Sequence, residues 1–417
     1  MDATEESSFY CLSNGLRMVH RRVPGLVSHL GVMIAAGTRH EMKQEHGLAH
    51  FTEHGIFKGT HKRKAFHINA RLEDVGGDLN AYTAREETCI YASFLHPYYG
   101  RALELFADIL FNPSFPEKEI RKEQSIVVDE INAYRDNPYE MIYEEFESML
   151  FPGHPLGRNI LGTRKSVMSF GPDKIRQFVN RLYIPANMVI SSVGNIAGRD
   201  LWMLAERYFA SVPDQAERTF PARQQDFLAS SYRTFHKSLK KRAFQTHYIC
   251  GNLAYSQNDD RRLAFSLLVN LLGGPAMSSR LNMAIRERYG HAYQVEAGYA
   301  PFRETGAFMV YIGTDHEYLE PCLDIMHLEF KKLREKKIGP LQFHKAREQF
   351  KGQIAIAMDS SLNQMISTGK TYLVYDRVDT AAELIGKIDR ITPENLMEVA
   401  VEVLDPDRMS SLTYRAR

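Results

Sequence analysis

The reading of this chain turns on the stretch Gly47-Leu48-Ala49-His50-Phe51-Thr52-Glu53-His54-Gly55-Ile56-Phe57-Lys58-Gly59-Thr60. On a helix, positions i and i+4 lie on one face about one turn apart, so His50 and His54 can aim two imidazole nitrogens at a single ion. Glu53 projects near that face without being forced to ligate. Neutral imidazole suits Zn²⁺, and a zinc site with an open position takes three protein ligands and leaves the fourth for water. A third ligand is therefore expected from elsewhere in the chain. The same spacing also arises on ordinary surface helices, so alone it marks a candidate.

Downstream, Glu123-Gln124-Ser125-Ile126-Val127-Val128-Asp129-Glu130 has the apolar spacing of a buried helix. Glu123 and Glu130 are seven residues apart and share one face of it, and either can reach the site from a second helix. The remaining histidines, His20, His29 and His247 among them, have no partner at ligand spacing and read as surface or hydrogen-bonded groups. His46 stands four residues before His50 but in a glycine-containing approach, and is left out.

Outward from this centre the pattern is mixed. Strand-like runs such as Leu26 to Ala36 and Thr88 to Leu95 alternate with helix-like ones such as Tyr98 to Leu110 and Glu117 to Tyr134. The run Met188 to Gly194 closes a first unit near residue 215, and the polar, proline-containing stretch that follows reads as a linker. The expected division is therefore 1–215, a linker 216–233, and 234–417. Weak internal similarity supports it. Ala70-Arg71-Leu72 resembles Ser279-Arg280-Leu281, His96-Pro97-Tyr98 resembles His316-Glu317-Tyr318, and Arg121 to Gln124 resembles Ala346 to Gln349, in the same order in both halves. In the second half, the counterpart of the His50 helix is Phe265 to Leu272, which has no histidine, so the metal is expected in the first half alone.

Composition narrows the class. A chain of 417 residues exceeds what one core organises, which is roughly 250 to 300 residues. With 52 Lys plus Arg against 51 Asp plus Glu, the net charge is +1, and bulk attraction to nucleic acid or an anionic membrane is not expected. The four cysteines, Cys11, Cys89, Cys250 and Cys322, are far apart with no CxxC pair, which fits reduced thiols rather than a disulfide framework or a thiolate metal site. The acidic start, with no apolar run of signal or membrane-span length, gives the expectation of a cytoplasmic, soluble protein.

The segment Gly47 to Thr60 resembles the inverted-zincin peptidases of the pitrilysin group, family M16, relatives of insulin-degrading enzyme and the mitochondrial processing peptidase. Gly76-Gly77-Asp78-Leu79-Asn80-Ala81-Tyr82-Thr83, Asp136-Asn137-Pro138, Gly153 to Gly157 and Asn187 to Ile190 also fall in family order, so the resemblance covers nearly the whole chain. Two positions depart from it: Thr52 and Gly55 stand where relatives carry a larger apolar residue and a methionine.

The resemblance implies an α+β fold of two similar α/β-roll domains, each a largely antiparallel sheet with helices packed on one side. It implies one zinc ion per chain, held by His50, His54 and Glu130, with Glu53 as general base and Glu123 in support. Asn80, Ala81, Tyr82 and Thr83 would form the substrate-binding strand. Ile285 to Tyr293 resembles the family segment that offers an arginine and a tyrosine, seven apart, to bound substrate, here Arg286 and Tyr293. The implied activity is that of a zinc metalloendopeptidase acting on peptides or small unfolded polypeptides in a closed chamber. Longer relatives carry four such units and this chain has two, so a homodimer is expected, a heterodimer with a related subunit being the other arrangement. The competing reading is a non-catalytic scaffold or partner subunit, which in this family generally loses part of the ligand set.

Overall fold

The strand Met188–Gly194 is buried along its whole length, and Val27–Ile34 along nearly all of it. Runs of this kind, with neither face left to water, belong at the centre of a covered sheet. In the computed structural model, which describes residues 7–213 and 232–416, they are the middle of a six-stranded sheet. Its strands are β1 (Ser8–Cys11), β2 (Arg17–Arg22), β3 (Val27–Ile34), β4 (Asp78–Thr83), β5 (Thr88–Leu95) and β6 (Met188–Gly194), in the order β1-β2-β6-β3-β5-β4. All pairings are antiparallel except that of β2 with β6.

A second sheet contains β7 (His236–Lys241), β8 (Thr246–Ala254), β9 (Ala292–Pro301), β10 (Gly306–Thr314) and β11 (Ser410–Ala416), in the order β7-β11-β8-β10-β9. Its one parallel pair is β7 with β11. Without β1, the first sheet has this same order and the same single parallel pair, so the internal duplication holds at the level of topology. His96–Tyr98 and His316–Tyr318, matched in sequence, are both single 3₁₀ turns. They lead into corresponding helices, Tyr99–Phe111 and Leu319–Glu335.

The helices of the first half include α1 (Leu48–Ile56), α2 (Ala65–Glu73), α3 (Tyr99–Phe111), α4 (Glu117–Arg135) and α5 (Pro138–Leu150), and later Pro172–Leu182 and Gly198–Phe209. Strand alternation gives each sheet two apolar faces. On the first sheet Leu30 and its cross-strand neighbour Ser192 lie on the α3 side, where the Tyr99 hydroxyl meets Ser192 Oγ at 3.0 Å. The opposite face, with Met33, Cys89, Val189 and Val193, is covered by Met365 and Leu373 of the helix Ser361–Tyr375. Ser191 Oγ donates to the Met365 carbonyl at 2.6 Å, and Lys370 Nζ meets Glu87 at 2.6 Å.

The second sheet repeats this arrangement. One face packs on helices of its own half, including Arg262–Gly273, Leu319–Glu335 and Pro393–Val403. The other carries Ile249, Met309, Tyr311 and Leu412 against Ile142, Phe146 and Leu150 of α5. Glu296 accepts hydrogen bonds from the Tyr139 hydroxyl at 2.6 Å and the Tyr143 hydroxyl at 3.0 Å.

Chain order and compact units therefore differ. Every strand of the first sheet precedes residue 215 and every strand of the second follows 234. Yet among the described residues one unit takes 7–132, 158–213 and 356–378, and the other takes 133–157, 232–355 and 379–416. Each half lends one helix to the other sheet, because that sheet's second face is apolar and its own half leaves it open. Helices consequently pack on both faces of each sheet. Of the expected linker 216–233, residues 216–231 lie outside the described residues.

Candidate metal centre

His50 and His54 sit on α1, a helix of nine residues whose first turn has no local capping side chain. The residue before it, Gly47, adopts φ 90°, and a Cβ there would come within 2.6 Å of the Gly162 Cα. Only glycine fits that left-handed, crowded position. The amides of the first turn are paired from a distance: the buried Glu41 carboxyl accepts from Gly47 N at 3.0 Å and from Ala49 N at 2.9 Å. Glu41 is a residue the sequence reading missed. The signal was present, since a helix entered through glycine needs an acceptor supplied by some other segment.

The imidazoles of His50 and His54 lie with ring centroids 4.7 Å apart. Glu130, from the last part of α4, places Oε1 3.7 Å from His50 Nε2 and Oε2 3.8 Å from His54 Nε2. One donor atom from each of the three falls within 4.8 Å of the others. Glu123, two turns earlier on the same helix, is buried and does not join the three. Its Oε2 accepts from His54 Nδ1 at 3.0 Å, and its Oε1 meets Lys58 Nζ at 2.8 Å. This bond puts the His54 proton on Nδ1 and turns the Nε2 lone pair toward the cluster, the arrangement in which a carboxylate orients a ligating histidine.

The electrostatics fit a cation. Burial, then the neighbouring His54, pushes the His50 pKa down to about 3, so this imidazole is neutral with its lone pair free at ordinary pH. Burial also disfavours charge on His54, but the Glu123 hydrogen bond and the charges of Glu53, Glu130 and Glu123 outweigh it and raise its pKa. Burial raises Glu130 against the pull of His54. For Glu123 burial works upward, but the bonds from His54 and Lys58 prevail and hold it below the usual carboxylate range. Two histidines and one carboxylate, with a second carboxylate behind, form a donor set that suits zinc.

Glu53 lies outside the group of three. It is mostly buried, and burial raises its pKa against the bond from Thr83 and the charge of His54. The Thr83 hydroxyl donates to its Oε2 at 2.5 Å. Beside Glu53 and His54 a hollow of about 270 Å³ is lined by Phe57, Lys58, Asn69, Leu79, Asn80 and Ala81. β4 is the terminal strand of its sheet, so its outer backbone edge pairs with no strand among the described residues. Of the four strand residues singled out in sequence, Asn80 and Ala81 line the hollow and Thr83 touches Glu53. Tyr82 packs on the opposite face near Tyr91, their ring centroids 6.4 Å apart.

Arg286 and Tyr293 belong to the second unit. Arg286 lies in the π-helical turn Asn282–Glu287 and Tyr293 near the start of β9. The two meet, the guanidinium 5.2 Å from the ring centroid, and Tyr293 is 81% exposed. The helix Arg262–Gly273, the counterpart of α1, carries no histidine.

Comparison with known proteins agrees in extent with this architecture. Residues 17–164 match the profile of Insulinase (Peptidase family M16), and residues 169–350 that of the Peptidase M16 inactive domain. The chain is 30% identical to the uncharacterised zinc protease YmxG of Bacillus subtilis, over 95% of this chain and 96% of that one. An uncharacterised zinc protease of Rickettsia bellii is 31% identical over 96% of each. A protease from Helicobacter pylori superposes with a TM-score of 0.91 over 99% of this chain and 100% of that one, at 21% identity. A putative M16-like peptidase from Alicyclobacillus acidocaldarius gives 0.87 over the whole of both chains, at 20% identity.

Proposed function

Since this chain belongs to the insulinase peptidase family M16, we propose that it is a zinc-dependent endopeptidase acting on peptides or small unfolded polypeptides, with Glu53 as general base. One observation carries the reading: the donor atoms of His50, His54 and Glu130 converge within 4.8 Å beside the mostly buried carboxyl group of Glu53, which is not among them. These three residues would hold one ion per chain. A zinc ion supplies Lewis-acid polarisation of a carbonyl and lowers the pKa of water at the site toward ~7.

The chain's own groups do the rest. Glu53 takes the proton of the attacking water and hands it to the leaving amine; burial, by raising its pKa, brings it nearer the working range of such a base. Glu123 keeps His54 in the ligating tautomer. The open edge of β4 receives an extended backbone as an added strand, so recognition rests on backbone groups and tolerates many side chains. Arg286 and Tyr293, the pair that family likeness assigns to substrate, offer a guanidinium and a phenol as donors to carbonyl oxygens.

The test is cleavage of a quenched-fluorescence peptide library with metal content measured alongside. Chelation should abolish cleavage, and one equivalent of zinc should restore it. His50→Ala and Glu130→Ala should lose both the zinc and the activity. Cleavage that persists in fully chelated protein would overturn the proposal.

A further inference from the structure

Thr83 is the last residue of β4, and its partner across the ladder is Thr88 of β5. The Thr88 hydroxyl donates to the Ala36 carbonyl at 2.6 Å, the two threonine oxygens are 3.4 Å apart, and the Thr83 hydroxyl donates to Glu53 Oε2 at 2.5 Å. Each hydroxyl has one proton, and both are committed elsewhere, so the 3.4 Å approach of the two oxygens is a contact in which neither donates. A carbonyl only accepts, so the single proton of Thr88 is committed to Ala36. The Glu53 carboxylate also only accepts, so the single proton of Thr83 goes to Oε2. The contact has the length of a charge-assisted O–H···O⁻ bond. Thr88, beside it, is fully buried, and a β-branched side chain such as Thr83 has little χ1 freedom, so the hydroxyl has little room to turn away from Glu53.

From this geometry we propose that Thr83 is the positioning residue for Glu53: its hydroxyl engages Oε2, leaves Oε1 as the oxygen that exchanges the proton, and keeps the carboxylate from swinging onto the ion. The inference rests on Glu53 being the general base. It gives Thr83 a role different from the substrate contact expected of its strand. Residues of alternate parity on β4 face opposite ways, so Thr83 points to α1 while Tyr82 does not. A side chain committed to Glu53 has no donor left for a peptide.

Thr83→Val removes the hydroxyl and keeps the shape, and Thr83→Ser restores the donor. The variants are compared in kcat, KM and zinc content on a peptide that the wild type cleaves. Separately, a thermal-melting double-mutant cycle of Thr83→Val with Glu53→Ala is run on the zinc-free protein. Thr83→Val should lower kcat on the order of 10²-fold with KM and zinc content unchanged, and Thr83→Ser should recover most of the loss. In the cycle, the melting shift caused by Thr83→Val should shrink when Glu53 is absent. A raised KM with unchanged kcat would overturn the proposal in favour of a substrate contact. Additive melting shifts would overturn the bond itself, whatever the activity. If Glu53→Gln cleaves as well as the wild type, the general-base reading fails and the positioning role fails with it.

Discussion

Glu41 shows at the scale of one residue how the site is held. Burial pushes its carboxyl up to about 8, against the hydrogen bonds from Ala49 and Gly47 and the charge of Arg158, with Glu45 adding to the rise. That value lies above the unfolded one of about 4.3. The stability it contributes is therefore complete below about pH 4 and is lost as pH rises through about 8. At pH 7 the group keeps its proton, and glutamine resembles it. Because glutamine ionises in neither state, Glu41→Gln should raise the unfolding free energy at pH 7 and flatten its decline between about pH 5 and 8. Glu41→Ala, which strands two buried N–H groups, should cost about 1–3 kcal/mol. Denaturant titrations at about pH 5 and about pH 8 check both. Glu123→Gln should weaken zinc binding by about 10–100-fold, read by competition with a chromophoric chelator. The histidines and both glutamates were legible because ligand spacing is a local property. Which glutamate ligates was open from spacing alone, since both lie on one helix face. Glu41 and the Thr83 bond were hidden because they join segments whose approach only folding decides.

Among the elements, α1 and α5 show what local pattern can and cannot report. Gly55, a poor helix former, stands one residue before the end of α1 at Ile56. Its entry is less forgiving: Gly47→Ala puts a Cβ at positive φ against Gly162 and Leu161, and should destabilise by about 1–3 kcal/mol while lowering zinc occupancy. Both effects are readable by melting and metal analysis. For α5, periodicity can say that one face is buried, but not against which sheet. Phe146 is fully buried among Ile249, Met309 and their neighbours. Phe146→Ala should cost about 3–5 kcal/mol, a loss measured by chemical denaturation. The repeat of strand order, by contrast, was foreshadowed by short matched motifs because each falls at a turn or helix that the topology reuses.

For the whole molecule, the two sheets repeat one strand order, and the helix that carries His50 and His54 in the first half has an apolar counterpart, Arg262–Gly273, in the second. No helix among the described residues is long and apolar enough to cross a membrane. One sequence carries both the metal motif and the Arg286/Tyr293 segment, and we propose a homodimer as the working assembly. Light scattering at micromolar concentration should give twice the mass of 47.8 kDa, and a fully active monomer would contradict it. Zinc at a hundredfold excess over its Kd should add about 2.7 kcal/mol to stability, a rise in Tm that His50→Ala abolishes. The central claim, that Glu53 is the base of a zinc peptidase, is tested most directly by Glu53→Gln, with zinc content and peptide cleavage measured on one preparation. One zinc per chain should be retained and cleavage should fall by at least about 10²-fold. Cleavage at the wild-type rate with zinc in place would contradict it.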